Sequence, residues 1–257
     1  MSQFGYLGEV AVNADDFGMS FSVNKAILLA FKQGLISSTS IMANMPGFED
    51  ACDLAHRHKL EERVGIHVNL TECRPLTGRI SRCPRFCGSD GRFNSIRYRL
   101  LFLSKAEVLA VEEELEAQVQ ACLEQRIRPA HLDSHHHYHT EWEIGSIAIR
   151  VAKRNRIPAI RLSNNCRVGI SVLNRLYKLA YNLRLRRHGL AKVGYCGLVV
   201  DARGYPGIAG KSIEIIVHPR LTSSGLLIDL DGEDLRSLIA SLNLRESKTS
   251  AMTTAVS

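Results

Sequence analysis

The fold is decided by the stretch Glu9-Val10-Ala11-Val12-Asn13-Ala14-Asp15-Asp16-Phe17-Gly18. It begins as a short apolar run of the kind that forms a buried strand in a parallel sheet, and it places two carboxylates at the C-terminal end of that strand. Ser22 is the predicted N-cap of the helix that follows, which carries its apolar side chains on one side and ends at Gly34. A buried strand followed by an amphipathic helix predicts one βα unit of a parallel α/β fold.

The same alternation of strand and helix continues along the chain. Further strands are predicted at residues 38–43, 64–68, 130–134, 158–162, 198–200 and 213–217, with helices at 48–56, 104–125, 142–154, 171–187 and 232–242. Six or seven such repeats favour parallel strands joined by right-handed crossovers. Residues 71–103 lack regular periodicity, and a loop of this length in a compact domain usually has a function.

Polar side chains lie at the C-terminal ends of these predicted strands: Asp15, Asp16, His67, His135, Arg161 and His218. In a (β/α) barrel those ends converge on one mouth, whereas in an open doubly wound sheet they would be spread along an edge. We therefore predict a single (β/α) TIM-like barrel of about seven parallel strands. The predicted domain covers residues 1–246, and a Ser/Thr/Ala-rich tail at 247–257 is predicted to be disordered.

Composition limits the location and the partners. The 257 residues suit one barrel domain. Seven scattered cysteines are an odd number and are typical of a reducing compartment rather than of a disulfide framework. Neither a signal peptide nor an apolar run of about 20 residues is evident. We therefore expect a cytoplasmic protein without a membrane partner, for which a homodimer is compatible with the sequence.

A basic segment accounts for much of the net charge of +7. Eleven Lys or Arg side chains lie between Arg150 and Arg187. We interpret them as a solvated helix face, because no aromatic residues interleave as platforms for nucleic-acid bases. Nucleic acid is therefore not expected as a partner, while an anionic part of a substrate, such as a phosphate, remains open.

Asp15 and Asp16 form a pair of adjacent carboxylates. Neighbouring side chains of a regular strand point to opposite faces, so both acids can face inward only at a strand-to-loop turn. There one carboxylate can bind a metal ion while the other acts as a base. Taken alone, the pair also describes a helix N-cap with a solvated neighbour, so the metal hypothesis depends on the histidines.

Histidines supply the further metal-binding groups. His67 lies in a buried predicted strand, and residues 131–139 hold five histidines. Alternation along the strand would direct four side chains to one side: His131, Asp133, His135 and His137. Not all of them can be ligands, so some are expected to orient the ligands or to contact substrate.

One carboxylate and two imidazoles make a mixed O/N site, which suits zinc, iron, cobalt or manganese better than magnesium. Arg161 can pair with Asp15 and set its orientation and basicity. His218 follows an apolar strand and can protonate a departing amine. Cys83 and Cys87 have no nearby histidine, so no second metal site is predicted there.

Together the motifs resemble those of the YdjC-like family of carbohydrate deacetylases. The matching segments are Asn13-Ala14-Asp15-Asp16-Phe17-Gly18, Gly65-Ile66-His67, His131-Leu132-Asp133-Ser134-His135-His136-His137 with His139, and Val217-His218-Pro219. The resemblance spans about residues 9–220 and implies a deformed (β/α) barrel that binds one divalent metal ion, usually magnesium. It also implies that Asp16, His67 and His135 are the metal ligands.

The resemblance further implies that Asp15 is the catalytic base and His218 the general acid, and it matches Arg161 by position only. The predicted function is a metal-dependent hydrolase that cleaves the amide of an N-acetylated sugar, of the N-acetylglucosamine type, and releases acetate. Two alternatives remain open at this stage. One is another enzyme with two histidines and one carboxylate, such as a non-haem iron oxygenase; the other is a non-enzymatic protein that binds an anionic polymer.

Overall fold

The structure is a computed structural model that describes residues 10–94, 102–203, 205 and 211–242. The strands in these ranges are β1 Val10–Phe17, β2 Ser38–Ile41, β3 Val64–Val68, β4 Leu132–Ser134, β5 Tyr195–Leu198, β6 Ile213–Val217, β7 Arg220–Leu221 and β8 Leu227–Ile228. The α-helices are α1 Phe21–Lys32, α2 Phe48–Arg57, α3 Gly78–Ser81, α4 Lys105–Glu124, α5 Trp142–Arg154, α6 Val172–Arg187, α7 Val199–Arg203 and α8 Leu235–Ala240. Two 3-10 helices span Glu61–Arg63 and His135–Thr140.

Six parallel strands form one sheet in the order β4-β3-β2-β1-β6-β5. The segment that follows β4 connects the two edge strands of the sheet, β4 and β5. Leu132 at one edge forms a parallel bridge to Ile160, and the Asn165 N–H donates to the Cys196 carbonyl of β5 at 3.1 Å. The sheet is therefore curled into a half-barrel, which confirms the parallel α/β fold and its deformed barrel form.

The expectation of about seven strands is wrong for the part of the chain that the structure describes. The predicted strand at residues 158–162 contributes only the bridge at Ile160. The Ile160 N–H donates to the carbonyl of Leu190, which precedes β5 and is not in a strand. Residues 158–162 therefore do not form a full strand, because the segment beside them provides only the Leu190 carbonyl and not the edge of a strand.

Element boundaries also differ from those expected. Ser20, not Ser22, caps α1, since its hydroxyl accepts from the Val23 N–H at 3.4 Å. The apolar run at residues 198–200 is divided between the end of β5 and the start of α7. The antiparallel pair of β7 and β8 was not predicted. The expected tail at 247–257 lies outside the described residues.

The long loop between β3 and α4 is fixed to α4 by buried polar side chains. Glu114 accepts hydrogen bonds from the backbone N–H groups of Leu76 and Thr77, at 3.0 and 2.8 Å. Gln118 exchanges hydrogen bonds with the backbone of Asn69, at 2.9 and 2.8 Å. Helix α4 itself begins with the predicted capping box. The start of the loop, next to the C-terminal edge of the sheet, is therefore held in place.

Within the described ranges, no helix combines the length and the apolar character that crossing a bilayer requires.

Candidate metal centre and active site

The end of β1 is irregular, and this irregularity places both of its acids in the site. The pairing with β2 changes register between Ala14 and Phe17, and Asp16 has a φ of 72°. A bulge turns one strand residue out of the usual alternation, and a left-handed φ is uncommon for a residue other than glycine. Asp15 and Asp16 are both buried as a result. The expected inward turn of both acids therefore occurs within the strand rather than in a loop after it.

Three potential ligand atoms converge next to this bulge. Oδ1 of Asp16 lies 3.4 Å from Nε2 of His67 and 3.1 Å from Nδ1 of His135. Atoms that share one ion at about 2.1 Å lie about 3.0–3.4 Å from one another. The same Asp16 oxygen is buried and has no hydrogen-bond partner. These residues therefore fit a metal ion with one oxygen and two nitrogen ligands.

Each of the two imidazoles is oriented by a second carboxylate. Nδ1 of His67 lies 2.7 Å from Asp133, and Nε2 of His135 lies 3.1 Å from Glu72. The pairing of His67 with Asp133 follows from the register of β3 and β4, in which the two residues are opposite each other. A carboxylate on the far nitrogen fixes the ring and raises its basicity as a ligand.

Backbone strain after β4 directs His135 into the site. His136 and His137 have φ values of 52° and 59°, so two consecutive residues are in the left-handed region. The turn is held by His139, whose Nδ1 lies 2.6 Å from the Ser134 hydroxyl and whose N–H donates to the same oxygen at 2.8 Å. Strain of this kind persists only where the surroundings impose it, and it is common at functional sites. The histidine cluster thus contains His135, which lies beside Asp16, and His139, which holds the turn.

His131 takes no part in the ligand group. Its ring lies over Gly65, where an added Cβ would be only 2.3 Å from two ring atoms. Glycine is required at this position in β3 because the imidazole occupies the space of a side chain.

Arg161 connects the carboxylates around the site. It forms two hydrogen bonds to Asp15, each of 2.7 Å, and a third of 2.7 Å from Nε to Glu214. Its guanidinium also forms an ion pair with Asp133. Bidentate pairing with the planar fork of arginine fixes the carboxylate in orientation as well as in charge. The expected pair of Arg161 and Asp15 is thus present, within a larger buried network.

The electrostatics of the cluster favour a cation. Burial opposes charge on Asp15 and Asp16, yet Arg161 lowers the pKa of the Asp15 carboxyl, and His135 and His67 lower that of Asp16. Burial also opposes a proton on His67, but Asp133 and Asp15 raise the pKa of its imidazole to about 10. The carboxylates around His67 therefore favour positive charge at this position, which a proton or a metal cation can carry.

His218 and Arg220 complete the mouth of the site. Val217 is paired with Ala14, so the residue after β6 lies beside Asp15. Nε2 of the His218 ring is 3.9 Å from Oδ2 of Asp15. The backbone N–H of His218 donates a hydrogen bond to the carboxylate of Asp229. Arg220 donates to the second oxygen of Asp16 at 2.9 Å. One oxygen of Asp16 is thus paired with the guanidinium of Arg220, and the other is directed at the imidazoles of His67 and His135.

The structure brings together all six side chains expected from the sequence: Asp15, Asp16, His67, His135, Arg161 and His218. Glu72, Glu214 and Arg220 were missed. The sequence carries no local pattern that marks them, since they come from a loop, from the middle of β6 and from β7. Asp133 was predicted to lie on the same side as His131, His135 and His137, but its pairing with His67 in the neighbouring strand was not predicted.

A curled parallel sheet with a histidine and aspartate cluster at its C-terminal edge is the arrangement of an α/β enzyme with a metal site. The model of the family described as YdjC-like protein matches residues 9–237, so the chain belongs to the YdjC-like family.

Relatives agree with this assignment. The chain is 32% identical to a carbohydrate deacetylase of Halalkalibacterium halodurans over 82% of its own length and 84% of the relative. It is 30% identical to a carbohydrate deacetylase of Brevibacillus brevis over 85% and 84% of the two chains. Among solved structures, it is similar to an Enterococcus faecalis V583 protein described as a cellobiose-phosphate cleavage protein. The TM-score is 0.64 with 21% identity, over 92% of this chain and 90% of the other. This last similarity supports the fold alone.

Proposed function

We propose that the protein is a carbohydrate deacetylase that hydrolyses the acetamide of N-acetylated sugars of the N-acetylglucosamine type and releases acetate. The observation that carries the proposal is the position of Asp15. Its Oδ2 lies 3.9 Å from Nε2 of His67, which belongs to the candidate ligand group. The same oxygen lies 3.9 Å from Nε2 of His218. A base therefore lies between a metal ligand and a potential acid, in a family whose curated relatives carry the deacetylase name.

We assign the metal ligands as Asp16, His67 and His135. A divalent ion held by these residues would supply Lewis-acid chemistry, which polarises an acetyl carbonyl and acidifies water. Two imidazoles and one carboxylate favour zinc, cobalt or manganese, whereas the family resemblance implies magnesium. Activity of the metal-stripped protein with each ion added separately distinguishes these ions.

Asp15 accepts the proton of the attacking water in this mechanism. Its pairing with Arg161 keeps it ionised and fixed, at the expense of basicity, so it requires a water that is already acidified. As the new C–O bond forms and the amide C–N bond breaks, His218 donates a proton to the departing amine. Acetate and the free amino sugar are the products. Arg161 is fully buried and orients the base through two hydrogen bonds, so its role is one of positioning.

Neither alternative function is favoured by a specific observation. A non-haem iron oxygenase uses two histidines and one carboxylate but does not require the Asp15 and His218 pair beside them. A protein that only binds an anionic polymer does not require a buried ligand set.

Acetate release from N-acetylglucosamine and its oligomers tests the proposal. Protein stripped of metal would be assayed with Mg²⁺, Zn²⁺, Co²⁺ and Mn²⁺ separately, next to Asp15→Asn and the surface control Asp53→Asn, which changes an exposed acid of α2. We expect acetate only with metal present, from the wild type and the control. Absence of acetate from every sugar and ion combination would overturn the proposal.

A further inference from the structure

Helix α6 presents a row of large apolar side chains to solvent. We call this row the leucine face; it consists of Val172, Leu173, Leu176, Leu179 and Leu183. Leu173 is 79% exposed and Leu176 is 56% exposed, although leucine is usually buried. Residues spaced by three and four positions share one side of a helix. The exposed side chains therefore form one continuous apolar stripe, and contiguous apolar surface marks an interaction site.

The opposite face of α6 already has its partners. Tyr181 and Leu185 are buried, and Asn182 bonds to the backbone of Ser163 at 2.9 and 3.1 Å. The Tyr177 hydroxyl donates to the Thr140 carbonyl at 2.8 Å. Helix α6 is thus packed against the domain through its opposite face, so the leucine face is not the side that contacts the core.

The charged side chains of α6 itself are all basic. Residues 144–200 contain no Asp or Glu, while Arg175, Arg186 and Arg187 are exposed on α6 itself. An apolar stripe flanked by arginines, on a helix without acids, matches the amphipathic helices that lie in the interface of a membrane. Sixteen residues of α-helix extend about 24 Å along such a surface.

Other occupants fit less well. A second copy meeting the same face would bring arginines together without an acid on either helix to pair with them, and like charges repel. Nucleic acid would take the arginines but would leave the leucines against a charged backbone, with no stacking platform among them. An anionic bilayer accommodates both groups, because leucines enter the acyl boundary while arginines meet the headgroups.

We propose that the leucine face of α6 is a docking surface for an anionic lipid bilayer, on which the protein lies without spanning it. The proposal revises the expectation of no membrane partner, and it does not depend on the deacetylase activity.

Sedimentation with lipid vesicles tests the proposal on the full-length protein. Phosphatidylcholine vesicles would be compared with and without roughly a quarter of phosphatidylglycerol, at low and high salt. The variants are Leu173→Ser with Leu176→Ser, and Arg175→Gln with Arg187→Gln. The matched control is Leu109→Ser, because Leu109 is 58% exposed on α4 among glutamates. Melting temperature confirms that each variant is folded.

We expect the wild type to bind the anionic vesicles in a salt-sensitive way. The double leucine variant should lose about tenfold or more of its partition coefficient, the double arginine variant about tenfold, and the control less than about twofold. Failure of the wild type to bind would overturn the proposal, as would binding that the leucine changes leave intact. A vesicle-free dimer that the leucine changes convert to monomer would assign the face to a second copy instead. Salt-dependent binding to DNA without binding to vesicles would assign it to nucleic acid.

Discussion

Replacement of Arg161 by glutamine tests the buried network that supports the site. Arg161 donates two hydrogen bonds to Asp15 and one to Glu214, and it pairs with Asp133, all with its own side chain fully buried. Glutamine removes the charge and leaves these carboxylates without their common cation. Loss of one partner from a buried ion network costs about 3–5 kcal/mol of unfolding free energy.

For a domain of this size, each kcal/mol lowers the melting temperature by about 2 °C, so Arg161→Gln should lower it by about 6–10 °C. The matched control is Arg150→Gln. Arg150 pairs with Glu112 at the surface, and such a pair contributes about 0–1 kcal/mol, or less than about 2 °C. Scanning calorimetry of both variants and the wild type measures the difference directly.

Activity provides the second readout. Asp15 loses its bidentate partner in Arg161→Gln, and a base displaced by about 1 Å can lose about 100-fold in rate. Arg161→Lys should restore part of the stability but little of the rate, because an ammonium cannot reproduce the planar fork. The reasoning would be refuted if Arg161→Gln melted within the range of the surface control, or if it released acetate at the wild-type rate.

Three further substitutions separate the roles of other residues. Asp15→Asn should retain its metal and fold and lose about 10²–10⁴ in rate, as expected for a general base; a variant that lost its metal instead would show that the roles of the two acids are exchanged. His218→Ala should lose much more rate on an N-acetyl sugar than on an activated aryl acetate, because only the amine needs protonation before it leaves. Equal losses on both substrates would point to binding rather than acid catalysis. Gly65→Ala should force His131 from its position and cost about 1–3 kcal/mol, or about 2–6 °C, in calorimetry. Gly194→Ala is its control, since the nearest atom to the new methyl group is 3.5 Å away; equal melting of the two variants would contradict the crowding argument.

The convergence of the site was predictable from the sequence because it follows from the positions of polar residues at strand ends. His67, His135 and His218 lie at or directly after the C-terminal ends of β3, β4 and β6, and parallel strands bring these ends to one edge. The sequence predicted that the chain must depart from regular strand geometry if both Asp15 and Asp16 are to face inward. The bulge that achieves this was not predictable, because a register change depends on pairing with a neighbouring strand.

The misplaced elements have a common physical cause. Short apolar runs such as residues 198–200 are compatible with strand or helix, and tertiary packing decides between them. Here Val199 and Ala202 are buried on one side of α7. Ile160 is buried in the same way, but its backbone N–H is directed at a loop carbonyl, so no full strand forms.

The site residues that were not predicted from the sequence contact partners that are far from them along the chain. Glu72 reaches His135 from a loop 63 residues earlier, and Arg220 reaches Asp16 from 204 residues later. No spacing rule links such pairs, so they are evident only once the fold is known.

Metal content measured together with turnover tests whether Asp16, His67 and His135 hold one ion that turnover requires. Elemental analysis of the wild type, of each single alanine variant and of Asp15→Asn, beside acetate release, gives both quantities on the same samples. We expect one ion per chain in the wild type and in Asp15→Asn, with metal and turnover lost together in the three alanine variants. A wild type that releases acetate after its metal is stripped, or an alanine variant that keeps both ion and turnover, would contradict this expectation.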